Sequence, residues 1–113
     1  MERLIEKIRA CVGNEYRRAA EEHGKTFNSF PEAAAIIFEE FQEAEAELAF
    51  IKSDLHVIWE YIKHNESADF ILGRLNEMQE NAIKLACEAV QIAAMSTKAT
   101  FLKDGGDKPE SEG

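Results

Sequence analysis

The stretch Ser29–His64, SFPEAAAIIFEEFQEAEAELAFIKSDLHVIWEYIKH, decides the architecture. Its apolar residues Ala34, Ile37, Phe41, Ala44, Leu48, Ile51, Leu55, Ile58 and Ile62 alternate three- and four-residue steps without a slip. That pattern is a sustained heptad seam, and it predicts one long α-helix over about 30–64. At its start, Ser29-Phe30-Pro31-Glu32 reads as a capping box. The serine hydroxyl can accept from the amide three residues on and the glutamate can reach back, while a first-turn proline gives up no hydrogen bond the helix needs.

Outward from this helix the same grammar repeats. His64-Asn65-Glu66-Ser67 is a break, with Ser67 placed to cap a further helix. There Ala68, Ile71, Leu75, Met78, Ala82, Leu85, Ala89 and Ile92 keep the three-four spacing, and the helix is expected to run to about Leu102. Upstream, Leu4, Ile5, Ile8, Val12, Tyr16 and Ala19 share one face of a first helix over about 2–22. Gly24 ends it, and His23 to Phe30 form a polar connector. β-Branched residues are too scattered for alternating strands. The expected fold is all-α: a long antiparallel helical hairpin plus an N-terminal helix. It makes a single domain over 1–102, followed by a disordered acidic tail over 103–113.

Length constrains assembly. A helix of about 34 residues is roughly 50 Å long, whereas a compact globule of this size has a radius of gyration of about 13 Å. Two such rods and a shorter helix leave Phe38, Phe50 and Trp59, beside the seam, in water. A second copy is the expected cover, giving an oligomeric helix bundle, a homodimer or homotetramer.

Composition excludes whole classes of function. The 113 residues carry 13 Lys plus Arg against 22 Asp plus Glu, a net charge of −9. Nucleic-acid backbones are held by clustered cations, so no nucleic-acid partner is expected. A nucleotide stays open, provided a metal ion stands between its phosphates and the protein. Hydrophobic residues, at 45%, are enough for a core. No uncharged stretch approaches the roughly 18 residues of a membrane span, and the charged Met1-Glu2-Arg3-Leu4 start is no signal peptide. Cys11 and Cys87 make neither a disulfide framework nor a metal spacing and are read as core thiols. A cytoplasmic setting without membrane contact is expected.

The acids of the long helix depart from a solvated face. Between Thr26 and Ile51 there is no lysine or arginine, while Glu32, Glu39, Glu40, Glu43, Glu45 and Glu47 all occur. Glu39 and Glu43, Glu40 and Glu43, and Glu43 and Glu47 sit three or four apart, where like charges repel. The line Ala33, Ile36, Glu40, Glu43, Glu47, Phe50 climbs beside the seam, so carboxylates interrupt an otherwise apolar stripe. Either they are a rim exposed to water, or a cation sits among them. Counting outward from a hairpin loop centred between Asn65 and Glu66 sets Glu43 opposite Glu88 and Glu40 opposite Gln91, to within about half a turn. Acids three apart would then face a Glu-x-x-Gln pair three apart, an oxygen cage suited to Mg²⁺ or Mn²⁺ and not zinc. A carboxylate-bridged di-iron site would want Glu-x-x-His, and Glu60 and His64 are four apart.

These residues carry a resemblance. Glu39-Glu40-Phe41-Gln42-Glu43 is similar to the EExxE motif of the MazG-like, all-α nucleoside triphosphate pyrophosphohydrolases. Glu88-Ala89-Val90-Gln91-Ile92-Ala93-Ala94-Met95 looks like the second motif of short phage- and prophage-type members, and Asn28-Ser29-Phe30-Pro31-Glu32 like their connector. The match covers about 23–97. Gln91 stands where the family carries aspartate, Pro31 where it often carries histidine, and the gap from Glu43 to Glu88 is longer than usual.

The resemblance implies Glu40, Glu43 and Glu88 as metal ligands, with Gln91 in the aspartate's place. It implies Glu39 as an additional acid that assists a ligand or polarises the attacking water. The implied reaction is Mg²⁺-dependent hydrolysis of a (d)NTP to its monophosphate and pyrophosphate. Lys84, one turn before Glu88, can meet a phosphate or pair with Glu80 or Glu88, and Lys25 and Asn28 can touch phosphate or base or serve only as loop polarity. The competing reading is a non-catalytic helical protein for self-association or partner binding, with or without a bound nucleotide, whose acids serve solubility.

Overall fold

The computed structural model describes residues 1–102; the tail expected over 103–113 lies outside the described residues. Three α-helices follow in order, α1 (Glu2–His23), α2 (Phe30–Lys63) and α3 (Ala68–Ala99), and a 3₁₀ turn (Thr100–Leu102) comes after them; there is no strand among the described residues. No helix among these residues is long and apolar enough to cross a membrane. Gly24 takes φ 96° at the end of α1, a left-handed conformation that favours glycine, and its amide donates to the Ala20 carbonyl. The α2 cap forms as its sequence dictates. Ser29 Oγ accepts from the Glu32 amide at 3.1 Å, and Glu32 Oε1 accepts from the Asn28 amide at 2.7 Å. Asn65, at φ 54°, turns the chain between α2 and α3.

The chain divides into two compact units. The first joins Met1–Phe41 to the described residues from Ala89 on. Its core is Ala19, Phe27, Ala33, Ala94, Met95 and Leu102, with Val12, Tyr16, Ile36, Ile37 and Ala99 packed against it. The Tyr16 and Phe101 rings meet at 5.6 Å. The second unit is Gln42–Glu88. Within it the Tyr61 and Phe70 rings lie 5.7 Å apart near the turn, Ile58 is buried, and Asp54 is 1% exposed. The Asp54 carboxylate accepts from Arg74 Nη1 and from Asn81 Nδ2, each at 3.0 Å. That pairing holds the Arg74 guanidinium pKa above its ordinary value.

Burial along the helices corrects the expected seam. On α2 the less exposed positions include Ala33, Ile37, Glu40, Ala44, Glu47, Ile51, Asp54, Ile58 and Tyr61, a line that keeps the three-four rhythm, with Ile36, Val57 and Glu60 beside it. Four of the nine expected seam residues, Ile37, Ala44, Ile51 and Ile58, are on this line; the other five, Ala34, Phe41, Leu48, Leu55 and Ile62, are exposed, Leu48 to 57%. Helix α3 rotates in the same sense. Arg74, Asn81 and Glu88 occupy the covered line in place of Leu75, Ala82 and Ala89. Hydropathy alone favours the apolar neighbour at each of these positions; the polar residues turn inward where a partner such as the one Asp54 provides can satisfy them. Cys11 and Cys87 are exposed and not core thiols, because each lies about 100° around its helix from the neighbouring covered position, Val12 or Glu88.

Asp54→Ala should cost about 3 kcal/mol, since it strands two donors at a buried site. Urea unfolding checks this, and replacing Asp54, Arg74 and Asn81 together by leucine or methionine should recover most of the loss.

Candidate metal centre and adjoining cavity

Glu43 and Glu88 come together inside the second unit, each offering a carboxylate oxygen within 4.8 Å of the other. Glu40 precedes Glu43 by three residues in the same unbroken helix, and helical geometry sets it beside Glu43 at the same separation. Glu40 and Glu88 are half-buried and Glu43 is exposed. One turn beyond Glu43, Glu47 buries its Oε1 without a hydrogen-bond partner among the described residues. The site expectations did not include Glu47; its signal in the sequence was its four-residue step from Glu43.

Three carboxylates at this spacing repel one another unless a cation or protons intervene. They supply hard, all-oxygen ligands, which fit Mg²⁺ or Mn²⁺ and lack the nitrogen or sulfur that zinc prefers. The buried Glu47 Oε1 one turn away adds a further oxygen of the same kind.

Gln91, in the first unit, donates from Nε2 to Glu15 Oε2 at 2.7 Å. Glu15 is itself held by the Arg18 guanidinium, which also binds Glu22. The Arg18 hydrogen bond is the main reason the Glu15 carboxyl titrates below its ordinary 4.5; burial opposes the shift and the Gln91 amide adds to it. Glu15 was not among the expected site residues. Nothing in a linear reading ties it to a position 76 residues away.

Glu39, Glu40, Asn28 and Gln91 line a cavity of about 510 Å³ in the first unit. Its floor is apolar, formed by Ala19, Phe27, Ile36 and Met95, and Arg18, Glu32 and Lys98 add charge to its walls. Lys25 and Lys84 are exposed, and neither lines the cavity.

Because the folded pKa of Glu15 is depressed, its ionised form contributes stability that is complete above about pH 4.5 and is lost as pH falls through the lower folded value. Melting temperatures recorded between pH 3 and 7 should therefore fall less steeply on the acid side for Glu15→Gln than for the parent. Parallel curves would remove this role from Glu15. No protein-family model, no curated protein and no solved structure matches this chain.

Proposed function

We propose that this chain is a MazG-like nucleoside triphosphate pyrophosphohydrolase that acts with Mg²⁺ or Mn²⁺ as an oligomeric helix bundle built on an α2–α3 hairpin. The observation that carries the reading is the approach of Glu43 and Glu88 to within 4.8 Å, with Glu40 beside Glu43. These are the residues that the resemblance to the EExxE and second motifs picks out as ligands. In this reading Glu40, Glu43 and Glu88 hold the divalent ion. When bound, such an ion neutralises phosphate oxygens and lowers the pKa of attached water.

The chain's own side chains do the rest. Glu39, on the cavity wall next to Glu40, accepts a proton from the attacking water at its carboxylate. Water adds to the α-phosphorus, the bond to the bridging oxygen breaks, and pyrophosphate leaves with that oxygen. Gln91, bound to Glu15 through its nitrogen, keeps its carbonyl oxygen as a neutral ligand. Such a ligand holds a cation less tightly than the family's aspartate does.

Two further features support the assembly. Tyr61 meets Phe70 near the turn, and Asp54 meets Asn81 farther from it, the order that an antiparallel pairing gives. Phe38, Phe41, Leu48, Leu55 and Trp59 are exposed along one side of α2, with Trp59 at 58%. A stripe of that extent is what a second copy covers.

Pyrophosphate release from a panel of common (d)NTPs with Mg²⁺ tests the activity. Glu43→Gln and Glu88→Gln should each lower kcat/KM by at least about a hundredfold, as expected when a metal ligand is lost, while circular dichroism stays helical. Turnover by both variants at the parent rate would remove the site. If instead removal of Glu40 and Glu43 stabilises the protein with Mg²⁺ present, the acids are only a solvated rim and the scaffold reading holds. Light scattering on the eluted protein should give the mass of two or four chains, with Trp59→Glu shifting it toward one; a monomeric parent would overturn the assembly.

A further inference from the structure

Lys98 is buried to 4% exposure, yet its only partner among the described residues is an aromatic face. Its Nζ sits 4.5 Å from the centroid of the Phe27 ring. A lysine ammonium carries three donors and no acceptor. The ring offsets part of the charge but leaves the N–H groups without the oxygen they would have in water. This side chain lines the cavity of about 510 Å³ in the first unit, a volume within the usual range for small-molecule sites. A buried donor that opens on a cavity, with no protein acceptor, points to an acceptor on a ligand.

The charge of the cavity says which kind of acceptor. Glu32, Glu39 and Glu40 set three carboxylates on its walls. Arg18 is already engaged by Glu15 and Glu22, which leaves Lys98 as the cation with nothing but a ring against it. A free anion entering these surroundings meets more negative than positive charge, whereas a neutral carbonyl oxygen meets only the donor. The floor of Ala19, Phe27, Ile36 and Met95 suits the face of a flat ring. Glu40, which lines this cavity, is also one of the acids of the candidate metal centre.

We infer that this cavity seats the nucleobase of the substrate and that Lys98 Nζ donates to the carbonyl at pyrimidine C4 or purine C6, so that keto bases are favoured over their amino counterparts. The choice of a nucleobase as the ring rests on the pyrophosphohydrolase reading; the requirement for a neutral carbonyl-bearing ring does not. Uracil and cytosine differ at one exocyclic position, as do hypoxanthine and adenine. An ammonium facing the oxygen gains a charge-assisted hydrogen bond, and facing the amino group it opposes donor to donor.

The test uses nucleosides without phosphate and without metal, so that it reads the cavity alone. Uridine, cytidine, inosine and adenosine are titrated against the full chain by calorimetry and by the NMR signal of the Met95 methyl. Uridine and inosine should bind roughly ten- to a hundredfold more tightly than cytidine and adenosine and should move the Met95 signal. In Lys98→Met, which keeps the length of the stem, the ratio should fall to about one while the melting temperature stays level or rises. Equal affinities for uridine and cytidine on the unaltered chain overturn the inference whatever the variant does. An unmoved Met95 signal with every nucleoside, alongside pyrophosphate release from a dNTP, also overturns it and leaves the proposed reaction standing. Keto-selective binding with no pyrophosphate release from any dNTP supports the cavity assignment and removes the reaction.

Discussion

The structure depends on polar residues turned inward along helices whose hydropathy favours turning them out. A buried carboxylate is tolerated only when donors meet it, and Asp54 is met by Arg74 and Asn81 at 3.0 Å each. With that set satisfied, the covered line of α2 runs through Glu40, Glu47 and Asp54, and that of α3 through Arg74, Asn81 and Glu88. The rotation that turns these residues inward also carries Phe41, Leu48, Leu55 and Ile62 outward. The inward acids and the exposed apolar stripe are therefore two sides of one constraint.

Charge is distributed unevenly along this line. Around Asp54 the acid is answered by protein donors, and the set is complete. Glu43 and Glu88 instead bring carboxylate oxygens to within 4.8 Å of one another. In the first unit, Glu15 is bound by Arg18 and Gln91, whereas Lys98 has only the Phe27 ring among the described residues. Sites that a protein completes by itself serve its stability. A donor that meets no protein acceptor among the described residues is where a ligand has something to contribute.

Much of this was legible in the sequence. The Ser29–Glu32 cap, the unbroken heptads and Gly24 marked the three helices to within about three residues, the third ending at Ala99 and not Leu102, because caps and periodicity are local. Counting outward from Asn65 brought Glu43 to Glu88, because two straight helices convert sequence distance directly into height. The rotation of the seam was not legible. Hydropathy ranks Leu55 above Asp54 and Leu75 above Arg74, and only the partner across the gap reverses that order. For the same reason the exposure of Cys11 and Cys87 was missed, and so were the bond between Glu15 and Gln91 and the burial of Lys98 on Phe27, each a contact between segments far apart in the chain.

The buried Asp54 set has one more consequence. If α3 slipped along α2 by four residues, Met78 and Leu85 would stand where Arg74 and Asn81 now donate, and the carboxylate would be marooned in hydrocarbon. The heptads alone would accept that slip, since one apolar rung looks much like the next. The polar set rejects it and so acts as an index mark that fixes the alignment of the two rods in the second unit. Glu43 and Glu88 belong to that same unit, so their spacing is gauged by a residue eleven positions along the chain from Glu43.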